Sequence, residues 1–174
     1  MSFAHPDRYF ARTSAIDVQA DILGRGFTHV LLDVDNTVVS RADHQVPKDV
    51  RLWIERLKRA GVGLCFLSNN WHGSVFEMAA QLDIPIVAKA CKPLPHGFFL
   101  ALRKIGASRK STVMVGDQLS TDVVGAHLAG LCAYLVCPLV EEDLKHTVFV
   151  RGIERAFISD REPEGVGACE TSRS

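Results

Sequence analysis

Short apolar runs alternate with amphipathic stretches along this chain, and that alternation narrows the fold more than any other feature. Apolar runs lie at Thr28 to Val34, Val62 to Leu67, Ile84 to Ala88, Thr112 to Val115 and Leu131 to Val136. Helical patterns fill the intervals at Pro47 to Ala60, Gly73 to Leu82, Leu94 to Ile105 and Leu119 to Ala129. In the first of these, Val50, Trp53, Ile54 and Leu57 form one apolar stripe. Pro47 suits its first position, and Gly61 follows its end. Ala15 to Leu23 and Thr147 to Ile158 also read as helices. Strands that alternate with helices predict a parallel sheet covered on both faces. Runs that are apolar throughout, rather than at every second residue, agree with burial on both sides. The expected architecture is therefore α/β, with three layers and a mainly parallel five-stranded sheet. One domain is expected over residues 1–160. The Glu-, Gly- and Ser-rich stretch 161–174 is expected to be a disordered tail.

Composition limits the partners. The chain has 174 residues, 47% apolar and 23% charged, ordinary values for a globular domain. Its formal net charge of zero gives no electrostatic case for nucleic acid as a partner. No apolar run approaches the roughly 18–20 residues that span a bilayer, and the first residues lack a signal-like apolar stretch. Five cysteines, an odd number mostly in apolar surroundings, fit a reducing compartment. A cytoplasmic setting is expected.

Polar residues gather at one end of the apolar runs. The first ends in Asp33, Asp35, Asn36 and Thr37, and the second in Ser68, Asn69 and Asn70. Lys89, Lys92 and Pro93 follow the third. The fourth ends in Gly116, Asp117 and Gln118, with Asp122 on the next helix's first turn. Open parallel sheets bind ligands outside the carboxyl ends of their strands. Acids, lysines, hydroxyls and amides at one such rim suit a phosphate together with a divalent cation. Asp33 and Asp35 stand two residues apart, which on a strand points both the same way. Two like charges so placed call for a metal, a proton-transfer role, or both.

The order Asp33-x-Asp35-x-Thr37, Ser68, Lys92, Gly116-Asp117-x-x-x-x-Asp122 resembles the four-motif pattern of the haloacid dehalogenase (HAD) superfamily. More narrowly, Asp35-Asn36-Thr37, Ser68-Asn69-Asn70, Lys92-Pro93 and Gly116 to Asp122 look like the YqeG group of subfamily IIIA phosphatases. That group is itself similar to mitochondrial phosphatidylglycerophosphate phosphatases. The resemblance covers residues 28 to 136 and implies a Rossmannoid HAD-like fold.

The resemblance also implies roles. Asp33 would be the nucleophile that forms an aspartyl phosphate. Asp35 would act as general acid and then general base, its main-chain carbonyl also binding Mg2+. Asn36, Ser68 and Asn69 would contact phosphate, and Lys92 would offset the charge of phosphate and carboxylates. Asp33, Asp117 and Asp122 would complete the metal set, Asp122 by supporting the lysine or the metal's waters. An acid at Asp35 favours a phosphatase over a dehalogenase. The reaction implied is Mg2+-dependent phosphomonoester hydrolysis. Its substrate stays open, a large or lipid phosphate such as phosphatidylglycerophosphate being one candidate. A sugar or nucleotide phosphatase, or a phosphate-binding adaptor without turnover, are the alternatives.

The gaps between motifs are short. About eleven residues separate Asp35 from the first crossover helix, and one helix and one strand fill the space from Ser68 to Lys92. No cap domain is expected, so the site should stand open unless a second subunit of a homo-oligomer covers it. Tyr9, Phe10 and Ile16 offer either peripheral contact with a membrane or cover for the sheet, and cover is expected. Trp71 and His72 are placed either at the substrate mouth or in packing at a helix start. Cys91 with His96, and Cys132 with Cys137, lack a second ligand pair, so structural zinc is not expected.

Overall fold

The computed structural model describes residues 4–42, 44–139 and 163–165. Its sheet comprises β1 (Arg8–Phe10), β2 (His29–Leu32), β3 (Gly63–Leu67), β4 (Ile86–Val87), β5 (Thr112–Gly116) and β6 (Cys132–Val136). Every pairing is parallel, in the order β1-β6-β5-β2-β3-β4. The α/β class is as expected, but the sheet has six strands rather than five. The additional strand is β1, which sets Arg8, Tyr9 and Phe10 opposite Tyr134, Leu135 and Val136. Three residues are too few to display a strand period.

The helices are α1 (Lys48–Arg59), α2 (Gly73–Gln81), α3 (Pro95–Lys104) and α4 (Val124–Ala129). The apolar stripe of α1 is buried as its spacing predicts, with Val50, Trp53, Ile54 and Leu57 all at or below 1% exposure. They join α2 and the N-terminal segment in one core cluster. Residues of α3 and α4 form a second cluster, which takes the alternate sheet residues Leu31, Cys65, Met114 and Ala133. The sheet is thus covered on both faces. Each large side chain withdrawn from water contributes about 2–3 kcal/mol.

Two expected helices differ in form. Residues Ala15 to Leu23 are not one helix. They are a 3-10 turn (Thr13–Ala15), a wide π turn (Val18–Ile22) and another 3-10 turn (Leu23–Arg25). Asp17 interrupts the run, because its carboxylate accepts from the N–H groups of Gln19 and Ala20 and starts a new turn there. Leu119–Val123 is likewise a π turn that leads into α4.

Phe10 and Ile16 are each 1% exposed, so this segment covers the sheet. Trp53 Nε1 donates to Ile16 O at 2.8 Å, and Tyr134 Oη donates to Asp21 O at 2.8 Å. Arg8 bonds both Asp21 and Glu164, with its guanidinium 4.6 Å from the Phe10 ring centre. Pro163–Gly165, within the expected tail, lies along β1. Glu164 N donates to Tyr9 O, and Ala11 N donates to Glu164 O, both at 2.9 Å. The helix expected at Thr147 to Ile158, and the rest of the tail, lie outside the described residues. Among those described, no helix is long and apolar enough to cross a membrane.

The topology determines where a ligand can sit. From β2 the chain steps outward through β3 to β4, then α3 carries it back across to β5 on the other side of β2. The order reverses between β2 and β5, which opens a crevice at their carboxyl ends.

Candidate active site

Asp33 follows β2 directly, and its N–H still donates to Val115 O of β5 at 2.9 Å, which fixes its backbone at the crevice. Beyond it the chain turns sharply. Val38 N and Val39 N return to Val34 O, Asn36 N donates to Val39 O, and Asn36 takes φ 65°. The extended geometry that would align Asp33 with Asp35 therefore ends at the strand terminus. The carboxylates grouped with Asp33 are instead those of Asp117 and Asp122, one oxygen from each lying within 4.8 Å of the others. Asp35 is half-buried outside this group.

Lys92 joins two of the three acids. Its Nζ donates to Asp33 Oδ1 at 2.5 Å and to Asp122 Oδ1 at 2.6 Å. All three side chains are at most 6% exposed. Burial alone would lower the Lys92 pKa, but the charges of Asp122 and Asp33 outweigh it and hold the ammonium above its ordinary range. Lys89 is exposed, its Nζ 4.7 Å from the Trp71 ring centre, and takes no part in the cluster.

Asp122 is held by close packing. Its second oxygen accepts from Gln118 N at 3.0 Å. A Cβ added at Gly116 would stand 2.3 Å from that oxygen, so only glycine leaves room for the carboxylate. Asp117, directly after β5, accepts from Thr37 Oγ1 at 3.1 Å through Oδ1. Burial pushes the Asp117 carboxyl well above its ordinary value, and the charges of Asp33 and Asp122 add to the shift. Burial also raises Asp122, with Lys92 opposing.

Three carboxylates thus face one ammonium. Asp33 Oδ2 is buried without a hydrogen-bond partner, which is costly for a carboxylate oxygen. A small hard cation would complete this set, because every available donor is an oxygen. Both oxygens of Asp122 are already engaged, so Asp33 and Asp117 are the acids placed to bind such an ion directly.

Ser68 is fully buried at the end of β3. Its Oγ accepts from Asn70 N at 2.9 Å, which leaves the hydroxyl proton for a ligand. The Asn69 side chain has a role the sequence did not display. Its Oδ1 accepts from Lys92 N at 2.7 Å, and its Nδ2 donates to Lys92 O at 3.0 Å. It thereby fixes the loop that carries the lysine. Thr37 and Gly116 belong to the motifs noted in the sequence, but the contact of Thr37 with Asp117 comes from an opposed loop and required the fold, whereas Gly116, at the end of β5, meets Asp122 in the segment that follows it.

The haloacid dehalogenase-like hydrolase family model matches residues 7–130. A Bacillus subtilis protein named probable phosphatase YqeG is 32% identical over 141 residues, spanning 81% of this chain and 82% of that one. Among solved structures, an uncharacterized Listeria monocytogenes protein is 25% identical, with a TM-score of 0.54 over 68% of this chain and 85% of that one. The cobalt-bound deoxy-D-mannose-octulosonate 8-phosphate phosphatase of Haemophilus influenzae shares the fold at 16% identity. Its TM-score is 0.53 over 64% of this chain and 69% of that one.

Proposed function

The chain belongs to the haloacid dehalogenase-like hydrolases, and from that premise we propose that it hydrolyses phosphomonoesters through a phosphoryl group carried on Asp33. It is a phosphatase of the YqeG type. The observation that carries the mechanism is the Asp33 carboxylate, held on one oxygen by Lys92 and left unpartnered on the other beside two more acids.

In the first half-reaction the Asp33 carboxylate attacks phosphorus, and the bond from phosphorus to the alcohol oxygen breaks. The leaving oxygen takes the proton of the Asp35 carboxyl. In the second, water attacks phosphorus and gives a proton to Asp35. The bond from phosphorus to Asp33 breaks, releasing inorganic phosphate and restoring both side chains. Lys92, the Ser68 hydroxyl and main-chain N–H groups near Asn36 and Asn69 hold the phosphoryl oxygens, whose charge develops in the transition state. Asp122 acts through Lys92 by holding its ammonium in place. Asp33, Asp117 and the Asp35 main-chain carbonyl would hold Mg2+, which would supply charge neutralisation there.

The intervals where a cap domain would be inserted hold a tight turn after Asp35 and only α2 and β4 between Ser68 and Lys92. This supports a substrate with a large alcohol portion, of which a lipid phosphate such as phosphatidylglycerophosphate is an example. The experiment is hydrolysis of an aryl phosphate with Mg2+, followed by a panel of lipid, sugar and nucleotide phosphates. Asp33→Asn is expected to abolish turnover while leaving the circular dichroism spectrum unchanged. Turnover that survives in this variant overturns the mechanism. Selective hydrolysis of a sugar or nucleotide phosphate overturns the large-substrate reading.

A further inference from the structure

An apolar groove of about 640 Å³ runs along the outer edge of the sheet at β4. It lies between α2, which contributes Phe76, and α3, which contributes Leu100 and Lys104. Trp71 and Lys89 stand at the same groove. Trp71, Phe76 and Leu100 are 57%, 47% and 44% exposed, three of the seven large apolar side chains that stand exposed among the described residues.

Two tethers join this groove to the phosphate site. Trp71 is three residues beyond Ser68, and Lys89 three residues before Lys92. Neither can stand more than about 11 Å, Cα to Cα, from its partner in the site. The Lys89 ammonium lies 4.7 Å from the Trp71 ring centre, which closes the two tethers into one rim. Lys89 and Lys104 are the charged residues of the lining, and no acid shares it. An apolar trough with cationic margins is complementary to an amphiphile that carries negative charge at one end. The end nearer Lys92 is where the phosphate would sit.

We infer that this groove is the subsite for the alcohol portion of the substrate, and that it selects phosphomonoesters whose alcohol is a long apolar chain. The inference rests on the phosphatase reading above. β4 lies two strands from β2, roughly 10 Å across the sheet. A short alcohol bound through its phosphate ends before the groove begins. A chain that spans that distance enters it and gains with each further methylene buried.

Monoalkyl phosphates from ethyl to dodecyl, each below its micellar concentration, test this through kcat/KM. The expected result is a flat response for short chains, then a rise of roughly twofold per methylene once the groove is reached, half-burial in an open groove giving less than full transfer. Phe76→Ser and Leu100→Ser are expected to lower the dodecyl-to-ethyl ratio at least fivefold. Leu128→Ser, an exposed apolar position on α4 outside the groove, is expected to keep that ratio. A flat series, or a ratio that survives both groove variants, overturns the subsite. If no phosphate ester is hydrolysed, the phosphatase reading fails by itself. Titration with dodecylphosphonate against ethylphosphonate then decides the groove, read by fluorescence of the exposed Trp71 and repeated in Phe76→Ser. A response specific to the long chain and lost in that variant supports the subsite, and none overturns it. Binding to anionic vesicles without any phosphomonoester, or a dimer dissolved by Phe76→Ser, would assign the groove to a membrane surface or a second copy and overturn the inference.

Discussion

The Asn69 side chain closes a two-bond ring with the main chain of Lys92, accepting from its N–H at 2.7 Å and donating to its carbonyl at 3.0 Å. The loop after β3 thereby sets the position of the loop after β4. Asn69→Ala removes both bonds at about 1 kcal/mol each. The expected outcome is a Tm lower by about 5 °C and a fall of roughly tenfold or more in kcat, since the lysine loses its fixed position. Asn69→Asp keeps only the accepting oxygen and should recover part of the Tm. A kcat equal to wild type in Asn69→Ala would remove the positioning role.

Lys92 is the counter-ion of two buried carboxylates, and its loss leaves both exposed to each other. Lys92→Met is expected to destabilise the protein by about 3–5 kcal/mol, the usual cost of breaking a buried ion pair. Urea unfolding measures this. Adding Asp122→Asn to Lys92→Met should restore part of that stability without restoring turnover. If the double variant is no more stable than the single one, charge imbalance is not the cause.

Gly116→Ala adds one methyl group 2.3 Å from Asp122 Oδ2, inside contact distance. Backbone or carboxylate must shift, at a cost of roughly 1–3 kcal/mol. Because Asp122 holds Lys92, turnover should fall together with stability. Steady-state kinetics on a folded sample of this variant tests the link, which a wild-type kcat would break.

Asp117 gives the pH dependence. Its folded pKa is raised above the ordinary 3.8, so the metal-free native state holds this proton more tightly than the unfolded chain does. Native stability therefore decreases as pH rises from the unfolded value through the folded one. Mg2+ competes with the same proton, so its affinity should increase with pH over that window and level off above it. Isothermal titration in buffers of different ionisation enthalpy should show proton release that Asp117→Asn abolishes. The same substitution should raise the metal-free Tm at pH 8, with the gap closing towards pH 4.

The helix α1 was legible because its pattern depends on near neighbours: stripe, proline and glycine lie within one segment. Asp33 and Asp117 were legible for a different reason, as each follows the end of an apolar run, and Asp122 was legible from its spacing to Asp117. Interactions across loops were not. Asn69 meets Lys92 across 23 residues, and nothing local distinguishes an asparagine that contacts phosphate from one that holds a lysine loop. The spacing of Asp33 and Asp35 misled in one respect, because the strand ended sooner than the apolar run and the turn at Asn36 redirected the chain. β1 went unread because its evidence lies in β6, at the far end of the domain.

The pairing of β2 with β5 sets His29 opposite Thr112, with about half of the chain between them. Joining such distant segments carries a loop-closure cost that must be met before their contacts contribute. Asp33 and Asp117 meet only across that junction, so a chain that has formed β2, α1 and β3 alone has no acidic pocket. Recovery of activity during refolding should therefore follow the slowest structural phase, and activity serves as a clock for completion of the sheet.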